Sequence, residues 1–126
     1  MKKIIILGST GSIGKQTLEI LKRDKKNFEI ILLSADKNID LLLKQVKTFN
    51  VKNVVVSNQK KNIILKKKLK KINIFSDFKN IDKKIKGKAD YTMSAISGLE
   101  GLSPTLKIIK KTKRIAIANK ESIICG

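Results

Sequence analysis

Apolar residues in this chain follow two alternating rhythms. Strand-like segments rich in apolar or small residues occur at Ile4-Ile5-Ile6-Leu7, Phe28 to Leu33, Val54-Val55-Val56, Ile72 to Phe75, Ala89 to Ile96 and Ile115 to Ala118. Between them, apolar residues recur every three or four positions. Continuous runs bounded by polar turns predict parallel strands covered on both faces, and the longer spacing predicts amphipathic helices. The first helix is expected over 12 to 23, with Ile13, Thr17, Leu18 and Leu21 on its apolar side. The second carries Ile39, Leu42, Leu43, Val46 and Phe49 behind an N-cap at Asn38. A lysine-rich third, capped by Ser57 or Asn58, turns Leu65 and Leu69 inward, and Ile81 with Ile85 marks a short fourth. Ser103 and Pro104 read as N-cap and first helical residue of a fifth, with Leu106 and Ile109 on its buried side.

Strand and helix alternate throughout, which predicts an α/β fold. The expected form is a Rossmann-like, doubly wound, mostly parallel sheet with helices on both faces and right-handed crossovers. In such a sheet the ligand crevice lies beyond the carboxyl ends of the strands. Three polar segments leave strands at that end and are expected to converge: 8 to 14, 34 to 38, and 119 to 122. No repeat or linker-like stretch interrupts the 126 residues, so 1–126 read as one dinucleotide-binding domain.

The chemistry concentrates in Gly8-Ser9-Thr10-Gly11-Ser12-Ile13-Gly14. Its G-x-x-G-x-x-G spacing is a relative of the dinucleotide fingerprint, and it falls between a strand and a helix as that mechanism requires. Gly8 permits the turn, Gly11 lets backbone approach a pyrophosphate, and Gly14 lets helix lie near strand. The N–H groups that open the helix have no intrahelical partner and face an anion.

Charge raises a second possibility. The net charge of +19 suggests phosphate backbones as partners. Yet all but two of the 29 basic residues, Arg23 and Arg114, are lysines, and runs such as Lys66-Lys67-Lys68, Lys83-Lys84 and Lys110-Lys111 fall on expected outer helix faces. Arginine forks and exposed aromatics for stacking are missing, so no specific nucleic-acid partner is expected. No run is long enough for a membrane span, Met1 leads almost directly into the first strand, and a cytoplasmic location is expected. Cys125, the only cysteine, supports neither a disulfide nor a thiolate metal cluster and is expected to be a small, semi-buried residue.

The glycine turn, together with Ala95-Ile96-Ser97-Gly98, Gly101-Leu102-Ser103-Pro104-Thr105-Leu106 and Ala118-Asn119-Lys120-Glu121-Ser122, resembles the 1-deoxy-D-xylulose 5-phosphate reductoisomerases along the whole chain. That family rearranges and reduces 1-deoxy-D-xylulose 5-phosphate to 2-C-methyl-D-erythritol 4-phosphate, in isoprenoid precursor synthesis, with NADPH and a divalent metal, Mg or Mn. The resemblance implies that Thr10, Gly11, Ser12 and Ile13 hold the NADPH pyrophosphate. It places Lys37 and Asn38 near the adenosine 2′-phosphate, Asn119 and Glu121 against the cofactor, and Lys120 against the sugar-phosphate substrate. It also implies a homodimer for the intact enzyme. One residue departs from the pattern. Asp36 stands where the family commonly has a small residue, about 20 positions past the glycines, where an acid ordinarily binds the ribose 2′-OH of NAD. That local rule points to NAD, whereas Lys37 and the family point to NADP; NADP is favoured because Asp36 can turn outward or pair with a neighbouring lysine.

The family continues into a domain that carries its metal ligands and most of its phosphate pocket. This chain holds no histidine, and its ten carboxylates show no paired D-x-E arrangement, so no catalytic or metal residue is assigned within it. The 126 residues alone are expected to bind NADPH weakly and not to turn over. Other NAD(P)-dependent dehydrogenases use similar turns. The short-chain class needs Tyr-x-x-x-Lys, but the only tyrosine, Tyr91, is followed four residues later by Ala95. A semialdehyde dehydrogenase would need a base beside its cysteine, and there is no histidine to serve. A non-catalytic nucleotide-binding module is the remaining alternative.

Overall fold

The computed structural model describes residues 1–96, 102–108 and 111–117. Six strands, β1 (Lys2–Leu7), β2 (Phe28–Ala35), β3 (Asn53–Val56), β4 (Asn73–Phe75), β5 (Tyr91–Ser94) and β6 (Ile115–Ile117), form one sheet in the order β4-β3-β2-β1-β5-β6. Every pairing is parallel. Five helices join them: α1 (Ser12–Lys22), α2 (Ile39–Phe49), α3 (Gln59–Lys68), α4 (Ile81–Lys84) and α5 (Leu102–Ile108). The chain steps outward from β1 to β4, then returns to lay β5 and β6 on the other side of β1. The order therefore reverses between β1 and β5, the place where an open α/β sheet leaves a crevice at its carboxyl edge.

Alternation along the strands sorts side chains into two cores. Ile4 and Ile6 pack with Leu18 of α1, Leu42 and Val46 of α2, and Leu65 of α3. Ile5 and Leu7 pack on the opposite face with Ile81 and Ile85 beside α4 and Ile108 of α5. The β1–β2 register slips between Ile4 and Ile5, where Ile4 faces Ile30 but Ile5 faces Leu32. One extra β2 residue is absorbed there, so Ile31 and Leu32 both join the second core. A continuous apolar strand is what such a doubly covered, slipped position requires.

Local signals hold at the helix ends. Asn38 caps α2 by accepting from the Leu41 N–H at 3.2 Å, and Asn58 caps α3 by accepting from the Lys61 N–H at 3.0 Å. The residue past α2, Asn50, takes the left-handed conformation (φ 53°) that asparagine tolerates better than most.

Three expectations need correction. Helix α5 already includes Leu102, so Ser103 and Pro104 lie in its first turn, and the inward residues are Thr105 and Ile108 while Leu106 is 57% exposed. Thr105 turns inward because its hydroxyl meets that of Ser94 at 2.6 Å on the strand beneath. Strand β2 runs on through Ser34 and Ala35, both buried, which shortens the turn before α2 to 36–38. Lys111, expected on an outer face, is buried; its ammonium donates to the carbonyls of Ile85 and Asp82, at the end of α4. Cations suit the negative end of a helix, and burial pushes this lysine's pKa down. Ile109, Cys125 and the segment 119–122 lie outside the described residues.

Asp90 ties β1 to β5 at their amino ends. One carboxylate oxygen accepts the Lys3 backbone N–H at 2.8 Å and the other accepts from the Lys113 ammonium at 3.3 Å. These contacts, the Lys3 N–H foremost, hold its pKa below the ordinary carboxylate value. A depressed carboxylate contributes stability that is complete above the unfolded pKa and is lost as pH falls through the folded one. Asp90→Asn is therefore expected to lower the urea midpoint at about pH 6, with the gap to the parent narrowing by about pH 3. An equal gap at both values would rule out the titration of Asp90 as its source.

Candidate cofactor site

The glycine turn is built by backbone geometry. Gly8 has φ +78°, a conformation costly for any residue with a Cβ. A Cβ there would also sit 3.0 Å from the carbonyl group of Ala95, just past the adjacent strand β5. The turn is then bolted to the end of β2: Gly8 N–H donates to Ser34 Oγ and Ser9 N–H to Ser34 O, both at 2.9 Å. The buried Ser9 hydroxyl donates to Gln45 Oε1 at 2.8 Å, and Gln45 Nε2 returns a bond to Ser9 O at 2.9 Å. Helix α2 thus anchors the turn from below. Breaking this exchange leaves buried polar groups unpaired, so Gln45→Leu is expected to cost about 2 kcal/mol in urea unfolding. A loss under about 0.5 kcal/mol would mean that the exchange contributes little.

Gly11 is the N-cap of α1, with φ −77° and ψ 174°, and no side chain caps the helix. The first intrahelical bond runs from Lys15 N–H to Gly11 O. The N–H groups of the first turn are therefore left to a ligand, in a turn that holds no acidic residue to compete with an anion. A Cβ on Gly11 would touch only Gly8 O, at 3.6 Å. The missing side chain is thus not required by packing; it leaves open the approach to the helix end.

In front of this turn lies a crevice of about 610 Å³ that runs across the carboxyl edge of the sheet. Its middle is Gly8, Thr10 and Gly11; one flank is Ser34, Ala35, Asp36, Ser57, Ser76, Asp77 and Phe78 at the ends of β2, β3 and β4. The other flank is Ala95 and Ile96 past β5, with Ser103, Pro104 and Lys107 of α5. Of the expected site residues, Thr10 and Gly11 line the crevice, and Ser12 and Ile13 form the exposed opening of α1. Lys37 is exposed and does not line it, and the Asn38 carboxamide oxygen is committed to capping α2. Asn119, Lys120 and Glu121 lie outside the described residues. The expectation for Asp36 is corrected. It lines the crevice, and Ser57 Oγ donates to its Oδ1 at 2.8 Å, so it neither turns away nor, among the described residues, pairs with a lysine.

Ser57, Ser76, Phe78 and Lys107 were not singled out as site residues by the motifs. A positional signal existed for two of them: Ser57 and Ser76 directly follow the apolar runs of β3 and β4, as Gly8 follows β1. Among the described residues no three His, Cys, Asp or Glu side chains converge as a metal would need, and no helix is long and apolar enough to cross a membrane.

A sequence profile of the 1-deoxy-D-xylulose 5-phosphate reductoisomerases matches residues 4–126. The enzyme of that name from Pelagibacter ubique is 57% identical over 130 residues, covering 100% of this chain and 34% of its own. Its counterpart from Thermoanaerobacter pseudethanolicus is 46% identical over 125 residues, covering 98% and 33%. Among solved structures, the Zymomonas mobilis reductoisomerase in complex with NADPH superposes with a TM-score of 0.86 at 34% identity, over 98% of this chain and 33% of that one. A DOX-P reductoisomerase in complex with NADPH, fosmidomycin and magnesium gives 0.87 at 31%, over 98% and 31%. The chain thus spans about a third of the length of the relatives it matches. A reversed strand order, an uncapped helix behind a glycine turn and a profile match over nearly every residue agree: this chain belongs to the 1-deoxy-D-xylulose 5-phosphate reductoisomerase family.

Proposed function

We propose that this chain is the NADPH-binding part of an enzyme that converts 1-deoxy-D-xylulose 5-phosphate to 2-C-methyl-D-erythritol 4-phosphate in isoprenoid precursor synthesis. The observation that carries the reading is the uncapped start of α1, with Gly11 open toward a crevice of about 610 Å³. The residues fit a dinucleotide laid along the sheet edge. Thr10, Gly11, Ser12 and Ile13 offer hydroxyls and backbone N–H groups to the pyrophosphate at the centre. The β2–β3 flank, with Lys37 and Asn38 at its rim, takes the adenosine half, and the β5–α5 flank takes the nicotinamide. Lys107 adds a cation on that second flank. Bound NADPH supplies the hydride for the reductive step.

What this chain contributes is aim. The turn is held by Ser34 and Gln45, so the nicotinamide end is positioned from a rigid base rather than from a loose loop. Asn119 and Glu121 are proposed to contact the cofactor, and Lys120 to orient the sugar phosphate. The divalent metal that accompanies the family's reaction finds no cluster of ligands among the described residues, and no step is drawn through it. A homodimer in a cytoplasmic location completes the proposal.

The test is calorimetric titration of the chain with NADPH at low and at moderate salt. Backbone donors at a helix end hold a cofactor whose affinity falls gently with salt, whereas lysines gathered on a polyanion lose affinity steeply. Saturable one-to-one binding that survives moderate salt supports the reading. No binding, or binding that collapses with salt, overturns it in favour of a generic polyanion surface.

A further inference from the structure

We propose that Phe78 and Asp77, just past β4, form the seat of the cofactor's adenine: the phenyl ring stacks on the base, and the carboxylate accepts from its 6-amino group. The inference rests on the cofactor site proposed above and adds two residues that read the base. Strand β4 is the outermost strand on the adenosine side, three steps along the sheet from β1. At about 4.8 Å a step its end lies about 14 Å from the glycine turn, comparable with an adenosine extended from a pyrophosphate held there. Ser76, Asp77 and Phe78 line the crevice at that end. Their loop is fixed by its own backbone: Ile81 N–H donates to Phe78 O at 3.1 Å, and Lys79 N–H to Asp77 Oδ1 at 2.9 Å.

Among the described residues that line the crevice, Phe78 is the one aromatic. Phe28 and Phe49 pack against the first core, and Phe75 packs against the second, with the Lys84 ammonium over its ring at 5.4 Å. Phe78 also rests on the second core, which holds Val55, but it is only half-buried and leaves part of its side chain to the crevice. A ring supported from behind offers a flat apolar surface on which any base can stack. Stacking alone does not choose among bases; Asp77 supplies the choice. With Oδ1 taken by the Lys79 N–H, Oδ2 has no partner among the described residues. A carboxylate only accepts, so it fits the 6-amino group of adenine and opposes the 6-oxo group of hypoxanthine. The 6-amino group is at the end of the base remote from the ribose, so this acid bears on the base and not on the 2′-phosphate.

Calorimetric titrations with NADPH and with its 6-oxo analogue, which carries hypoxanthine in place of adenine, test both residues. The parent chain is expected to bind NADPH about tenfold more tightly than the analogue. Asp77→Asn keeps the bond from Lys79 N–H and sets an amide donor where Oδ2 stood. It should weaken NADPH about tenfold and leave the analogue no weaker, so that the preference disappears or reverses; a merely structural role would weaken both alike. Phe78→Leu should weaken both about tenfold and keep their ratio, and Phe78→Tyr, which keeps the ring, should bind both as the parent does. A parent that binds the two dinucleotides within about threefold, or an Asp77→Asn variant that keeps the parent's preference, overturns the role of Asp77. NADPH affinity unchanged in Phe78→Leu, or lost equally in Phe78→Leu and Phe78→Tyr, overturns the stack. Failure of the parent to bind NADPH at all is a different result: it overturns the cofactor reading itself and this inference with it.

Discussion

Gly14→Ala is expected to destabilise the chain by about 3 kcal/mol or more. In an unconstrained helix the same change would stabilise by about 1 kcal/mol, because alanine is the better helix former. Here the added Cβ would lie 2.3 Å from Gly8 O and 2.6 Å from Ser9 Cα. Both are backbone atoms in a turn that Ser34 and Gln45 already hold, so neither can step aside as a flexible side chain would. Helix α1 would have to slide away from the turn, pulling Leu18 out of the first core. Urea unfolding followed by circular dichroism measures the loss. A cost below about 1 kcal/mol would mean that α1 can shift freely, and the argument for a rigid turn would fail.

Gly11→Val should do the reverse: leave the fold and remove the ligand. The backbone at Gly11, φ −77° and ψ 174°, is open to any residue, and a Cβ there meets only Gly8 O at an ordinary 3.6 Å. The stability cost is about 1 kcal/mol or less, the difference between a glycine and an apolar N-cap. NADPH, however, would have to approach backbone N–H groups now screened by an isopropyl group. Affinity is expected to fall about 100-fold, roughly 2.8 kcal/mol. Calorimetry beside urea unfolding separates the two effects. Unchanged NADPH affinity in a folded Gly11→Val variant would place the pyrophosphate elsewhere.

These paired glycines show why the site was partly legible in the sequence. The turn, the strand before it and the helix after it span fewer than two dozen residues, and each is governed by local rules: an apolar run, a glycine-permitted φ, an unsatisfied helix end. The caps at Asn38 and Asn58 were legible for the same reason, since a cap reaches only three residues ahead. Asp36 was visible as an anomaly, but not its direction. That depends on Ser57, 21 residues away along the chain, which becomes its neighbour only because β2 pairs with β3. Leu106 and Lys111 misled because a periodic apolar residue and a surface cation are defaults, and each yielded to a partner from another element: Ser94 drew Thr105 inward, and the carbonyls behind α4 drew in Lys111.

By itself, then, the amino-acid sequence determined the alternation of strands and helices, the glycine turn and its place between β1 and α1, and the family to which its motifs belong. Each of these is written in contacts between residues near one another in the chain. Only the tertiary structure decided the order β4-β3-β2-β1-β5-β6, the crevice opened by its reversal, and the presence there of Asp36, Ser57, Ser76 and Lys107. Strand order is settled by which buried faces fit together, an energy shared among many distant side chains, and no short stretch of sequence carries it.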